Sequence, residues 1–324
     1  MDTGTHLVMG IGLGALATID PVVANSAVTA QAVMIGTIVG SQAPDIDTIL
    51  KMRNNAVYIR NHRGITHSIP AVILWPLLIT SVTTAILPLA NVWHLWMWTF
   101  IAVFLHVFVD IFNAYGTQAL RPLTSKWIAL GVINTFDPFI FGLHVAGIIL
   151  WAFGAAPDIT FIMVYCIMAI YYVMRFKEQK RIKATIKGTI PNAHKIILSP
   201  TVRYHKWRVA IMTDQHFLVG SCLNGIVTIV DEFKRKPLPD DPVWDAAKHD
   251  VNLSAFLSFS PIYRFELSKT DNMYEVKFID LRYRSNGYYP FVAVVHLDEQ
   301  LNILNSYTGW IFSEDKLRKK LIIT

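Results

Sequence analysis

The chain has 324 residues, 53% of them hydrophobic and only 16% charged, with a mean hydropathy of +0.40. Soluble globular proteins carry about 25% charged residues, so the balance excludes an ordinary soluble enzyme and points to a membrane. The charge is also uneven: residues 1–174 hold six Lys/Arg and seven Asp, net −1, whereas 175–324 hold 23 basic and 16 acidic residues, net +7. Two isolated cysteines, Cys166 and Cys222, form neither a disulfide framework nor a CxxC metal pair. No basic residue precedes the first apolar run, which argues against a cleaved signal peptide.

In chain order, the short apolar stretches 7–19 and 27–40 predict a helical hairpin turning at Asp20-Pro21. Its Gly10, Gly12 and Gly14 permit close helix packing. Stretches 69–89, 93–112, 138–156 and 159–176 are each long enough to cross a bilayer, which takes about 20 apolar residues. Every basic residue of this half falls in two loops, Lys51/Arg53/Arg60/Arg63 and Arg121/Lys126. A six-segment path with both termini cytoplasmic places both loops inside, and the basic block 175–181 then stops transfer.

After Lys187 the long apolar runs give way to short alternating ones, as half-buried strands require. Stretches 206–212, 216–220, 226–230, 262–267, 274–278 and 291–296 are strand candidates. Asn224-Gly225 and Asn286-Gly287 are turn signals, and Pro237–Pro242 reads as a loop dividing the set. The expected fold is an α-helical membrane domain, about four full spans plus a short N-terminal helical hairpin, followed by a small cytoplasmic β-rich domain. The boundaries are 1–176 for the membrane domain, 177–187 for a basic linker and 188–324 for the β-rich domain.

Four of the seven early aspartates, Asp45, Asp47, Asp110 and Asp137, accompany four histidines, His6, His62, His67 and His106, in apolar surroundings. A charge at membrane depth costs about 2.5–3.5 kcal/mol on insertion scales unless something pairs with it. A bound metal accepts imidazole and carboxylate together. The expected topology brings all eight to the cytoplasmic membrane surface. His106 and Asp110, four apart, project from one helical face. Pro44-Asp45-Ile46-Asp47 sets two carboxylates after a fixed turn, and His62 and His67 open the first full span. Asp137 fits a helix cap equally well, and His144, two turns deeper, reads as an intrahelical histidine. Thiolates are absent from the set and imidazole disfavours magnesium, so zinc is expected, with manganese second.

The ordered series His6, Pro44-Asp45-Ile46-Asp47, His62-Arg63-Gly64-Ile65-Thr66-His67-Ser68, His106-x-x-x-Asp110, Tyr115-Gly116, Arg121-Pro122 resembles the YdjM family. These are bacterial inner-membrane proteins regarded as candidate metal-dependent hydrolases, and the polar tail makes the chain most similar to the YfhP-type members. The family is distantly similar to the zinc-dependent phospholipase C and P1 nuclease group. That resemblance implies His6, Asp45, His67, His106 and Asp110 as metal ligands. The N-terminal amino ligand of the secreted phospholipases has no counterpart in this motif series.

The leading expectation is therefore a membrane metal-dependent hydrolase that cleaves a phosphoester such as a lipid or lipid-linked phosphate. Asp47 or Asp137, if uncoordinated, would orient or deprotonate water. His62, Arg63 and Arg121 are the candidates to meet substrate phosphate. No His-Glu-x-x-His, Gly-x-Ser-x-Gly or P-loop motif offers another chemistry. The basic tail suits anionic lipid headgroups, and the missing RNA-binding consensus argues against nucleic acid. Two other readings stand beside this one: a transporter or metal-binding protein without enzymatic activity, and a membrane anchor for a basic regulatory β-domain.

Overall fold

The computed structural model describes residues 1–324 except Arg53, Asp271, Asn286 and Thr324, and except the side chains of Ile322 and Ile323. Arg53 of the first basic loop and Asn286 of the Asn286-Gly287 turn therefore lie outside the described residues. The chain forms two compact units, one of residues 1–47 with 63–179 and the other of 48–62 with 180–324.

The first unit is helical. Helix α1 (Thr3–Leu16) starts at Asp2, whose carboxylate caps the Thr5 N–H. A turn of 3-10 helix and the short α2 (Pro21–Ala24) lead to α3 (Ala27–Gly40). The glycines let these helices meet: a Cβ at Gly10 would collide with Ser41 and the Thr37 carbonyl, and one at Gly12 with the Phe161 ring. A 3-10 helix, Ala43–Met52, follows. After the excursion into the other unit, a second one, Ile65–His67, precedes α5 (Ile69–Ile86), and α6 (Val92–Asp110) returns beside α5 and α3. Helices α7 (Pro138–Ala152) and α8 (Pro157–Thr189) complete the set.

Three of these helices, α5, α6 and α8, are long and apolar enough to cross a membrane, against the four full spans expected. Helix α7 is the correction. Its 15 residues rise about 22 Å, short of the roughly 30 Å hydrocarbon core. Apolar composition continues to Ala156, but the chain turns at Gly154 (φ +94°) and the helix has already ended. Residues 177–187, read as a linker, are the last turns of α8.

The second unit carries two four-stranded antiparallel sheets, each a meander. The first is β1 (Lys195–Pro200), β2 (Lys206–Met212), β3 (His216–Leu223) and β4 (Ile226–Lys234). Asn224 and Gly225, both at positive φ, make the tight turn between β3 and β4. Trp207, Val209 and Ile211 alternate onto one face and bury against Ile182 and Ile186 of the α8 extension. Helix α9 (Pro242–Lys248) and α10 (Val251–Phe259) precede β5 (Tyr263–Thr270), β6 (Met273–Asp280), β7 (Phe291–Leu297) and β8 (Ile303–Trp310). Helix α11 (Glu314–Ile323) lays Leu317 and Leu321 on this second sheet. The 48–62 excursion belongs here because α4 (Asn55–Asn61) packs on α10 and β8, with Asn55 Nδ2 donating to the Thr308 carbonyl at 3.1 Å.

Candidate metal centre

Helix ends bring the polar residues together within the first unit. Helix α1 supplies His6 in its first turns, and α6 supplies His106 and Asp110 in its last two. The 3-10 helix after α3 carries Asp45 and Asp47, and the one before α5 ends at His67, where Ser68 caps α5. Those irregular segments turn polar side chains inward at points where a continuous helix would have carried the chain past.

Four atoms converge. His67 Nε2 lies 3.3 Å from His106 Nε2, 3.5 Å from Asp45 Oδ1 and 3.5 Å from Asp110 Oδ2. His106 Nε2 lies 3.6 Å from Asp45 Oδ1 and 3.7 Å from Asp110 Oδ2. All but Asp45 are fully buried, and Asp45 is nearly so. Among the described residues, neither Asp45 Oδ1 nor Asp110 Oδ2 accepts a hydrogen bond. His106 Nδ1 donates to the Ser41 carbonyl at 2.6 Å, which leaves its Nε2 as a lone pair aimed at the other three atoms. Burial pushes the His67 imidazole down to about 3, so it too is neutral at pH 7, the form that coordinates a metal.

The other oxygen of Asp110 faces a second side of the cluster. Asp110 Oδ1 lies 3.4 Å from His6 Nε2 and contacts the Met1 amino nitrogen, itself 2.9 Å from His6 Nε2. The His6 ring stacks on His106 at 3.7 Å.

Arg63 lies beside Asp110. Its Nε lies 3.2 Å from Asp110 Oδ2, and its Nη2 donates to the Met1 carbonyl at 3.0 Å. The residue takes a left-handed backbone (φ +59°), a conformation costing about 1–3 kcal/mol that persists only where the surroundings enforce it. Here they do: the Arg63 N–H donates to Asp47 Oδ2, and its carbonyl accepts from Gln118 N and Thr117 Oγ1.

Asp137, His144, His62 and Arg121 contribute none of the four converging atoms. Asp137 caps α7: Oδ1 accepts from Phe139 N and Ile140 N, and Oδ2 from the Tyr171 hydroxyl at 2.8 Å. Both oxygens are thus engaged at the start of α7. His144 donates to the Ile140 carbonyl one turn back. His62 ends α4 in the second unit and stacks on Tyr58 at 4.5 Å. Arg121 is half-buried, and its carbonyl accepts from Ile69 N at the start of α5.

Comparison with known proteins places these residues in a family. A family described as YdjM inner membrane protein matches residues 1–182. Two further descriptions match the tail, YfhP middle domain at 191–233 and YfhP C-terminal alpha/beta plait domain at 242–321. The chain is 58% identical over 322 residues, 99% of this chain and 98% of the relative, to the Uncharacterized protein YfhP of Bacillus subtilis (strain 168). No solved structure matches it.

Proposed function

The chain belongs to the YdjM inner membrane protein family, and on that premise we propose that it is a metal-dependent hydrolase of phosphoesters, acting at the membrane surface on a lipid or lipid-linked phosphate. The observation that carries the metal is the spacing of Asp45, His67, His106 and Asp110. Ligands bound at 2.0–2.1 Å around a tetrahedral zinc stand about 3.3 Å apart, and five of the six separations here are 3.3–3.7 Å. Two imidazoles and two carboxylates suit zinc before manganese. Four lone-pair atoms facing one another in a buried space are a set that a cation can join.

When bound, a divalent cation supplies Lewis-acid polarisation of a phosphoryl oxygen and lowers the pKa of water toward 7. The chain's own residues do the rest. Arg63 holds a fixed positive charge beside Asp110, where an anionic phosphoryl group can meet it. His6 supports Asp110 from the opposite oxygen. Lipid is favoured over a soluble ester by the match to an inner membrane protein family and by Ile46, next to Asp45, which is 55% exposed.

Metal-loaded protein in mixed micelles should release phosphate or a phosphorylated headgroup from a lipid substrate. Chelator and Asp45→Asn should each abolish turnover, whereas Arg63→Ala should mainly raise KM. Turnover that survives both chelator and Asp45→Asn would overturn the hydrolase reading. A cluster that holds metal but cleaves none of a broad phosphoester panel would favour the transporter or anchor readings.

We place the tail on the cytoplasmic side. Arg175 is buried and donates from Nε to the Val132 carbonyl, so the exposed Lys177, Lys180, Arg181 and Lys187 carry the positive-inside signal. A reporter fused after Lys187 should be active only in the cytoplasm, and activity confined to the outer side would reverse the orientation.

A further inference from the structure

Thr66 is absent from the candidate ligands, yet it stands between two of the residues singled out by the sequence. Its Oγ1 lies 2.6 Å from Asp47 Oδ2 and 3.0 Å from His67 Nδ1. The hydroxyl has one hydrogen. An ionised carboxylate only accepts, so that hydrogen goes to Asp47, and the oxygen facing His67 can only accept in turn. His67 Nδ1 must therefore carry its proton toward Thr66. In a neutral imidazole this leaves Nε2 as the lone pair, and Nε2 is the atom that faces Asp45, His106 and Asp110.

We propose that Asp47 and Thr66 form a positioning relay that fixes the tautomer and ring orientation of His67, so that His67 presents Nε2 to the cluster. The part concerning metal affinity rests on the metal-centre reading above; the tautomer itself does not. This gives Asp47 a role other than water activation. Its Oδ2 accepts from both Arg63 N, at 2.8 Å, and Thr66 Oγ1. One carboxylate thus holds the loop that delivers the arginine and the histidine together. His106 achieves the same end more directly, through the Ser41 carbonyl. A carbonyl cannot donate, so it selects the tautomer alone. A hydroxyl can face either way, so Thr66 needs Asp47 to orient it. Supporting partners of this kind are typically worth 10- to 100-fold in metal affinity.

The test uses the whole chain in detergent, with the hydroxyl removed in Thr66→Val and restored in Thr66→Ser. Zinc affinity, read by chelator competition, should fall about 10- to 100-fold in Thr66→Val and stay within about 3-fold of the parent in Thr66→Ser. Nitrogen-15 spectra of labelled histidine in chelator-treated protein should show His67 protonated at Nδ1 in the parent and in Thr66→Ser. The proton should shift toward Nε2 in Thr66→Val. A parent protonated at Nε2 overturns the relay even if Thr66→Val fails to fold. Unchanged affinity and an unchanged tautomer in folded Thr66→Val overturn it as well. A parent that shows the Nδ1 tautomer but binds no zinc leaves the relay standing and defeats the metal reading instead.

Discussion

Replacing either His106 or Asp110 with alanine will empty the metal centre, while replacing His94 will not. His106 and Asp110 place two of the four converging atoms. Losing either leaves three donors. The affinity loss should exceed the 10- to 100-fold that a supporting residue alone contributes. His94 lies on the same helix but about 18 Å of helix rise away. There it hydrogen-bonds Asp20, which also accepts from Trp98 Nε1 at 3.3 Å. Metal content of the three variants, each purified in parallel, checks the expectation. Equal loss from all three would mean that the effect is unfolding rather than ligation.

The second large effect belongs to the other unit. Arg282→Leu should destabilise it by about 3–5 kcal/mol, the usual result of removing one partner of a buried ion pair. Asp280, fully buried at the end of β6, accepts from Arg282 Nη2 at 2.6 Å, from Arg282 N at 2.8 Å and from Ser260 Oγ at 2.7 Å. Without the guanidinium, a carboxylate is left in an apolar core beside Phe259, whose carbonyl also accepts from Arg282. Lys248→Leu is the control, because its pair with Asp245 is exposed and such surface changes stay within about 0.5 kcal/mol. Amide exchange in Met273–Asp280 and Phe291–Leu297 reads this unit by itself. A difference between the two variants below about 1 kcal/mol would refute the buried pair.

Much of this was legible in the residues, for physical reasons that can be named. Apolar surroundings make every Asp and His costly, so those present had to be paired, and the His106/Asp110 spacing fixed a shared helical face. Strands such as Lys206–Met212 showed in their alternation, and Asn224-Gly225 marked their turn. Helix α7 was overcounted because composition registers Phe153–Ala156 as apolar, whereas the backbone turns there at Gly154. Strand β8 was hidden by Asn305, Ser306 and Thr308, polar residues that pair along β7 in the interior of the unit. The left-handed Arg63 and the hydroxyl of Thr66 could not be read from local pattern at all. Each is set by Asp47, 16 and 19 residues earlier in the chain. Asp137 offered two readings, and its two backbone N–H partners show that it caps α7.

Elemental analysis of the chain, purified in detergent without chelator, tests the central claim most directly. The account predicts about one or more equivalents of zinc per chain, removed by chelator and regained on dialysis against zinc. Less than about half an equivalent of any transition metal, with none regained on dialysis, would contradict a metal centre built from Asp45, His67, His106 and Asp110.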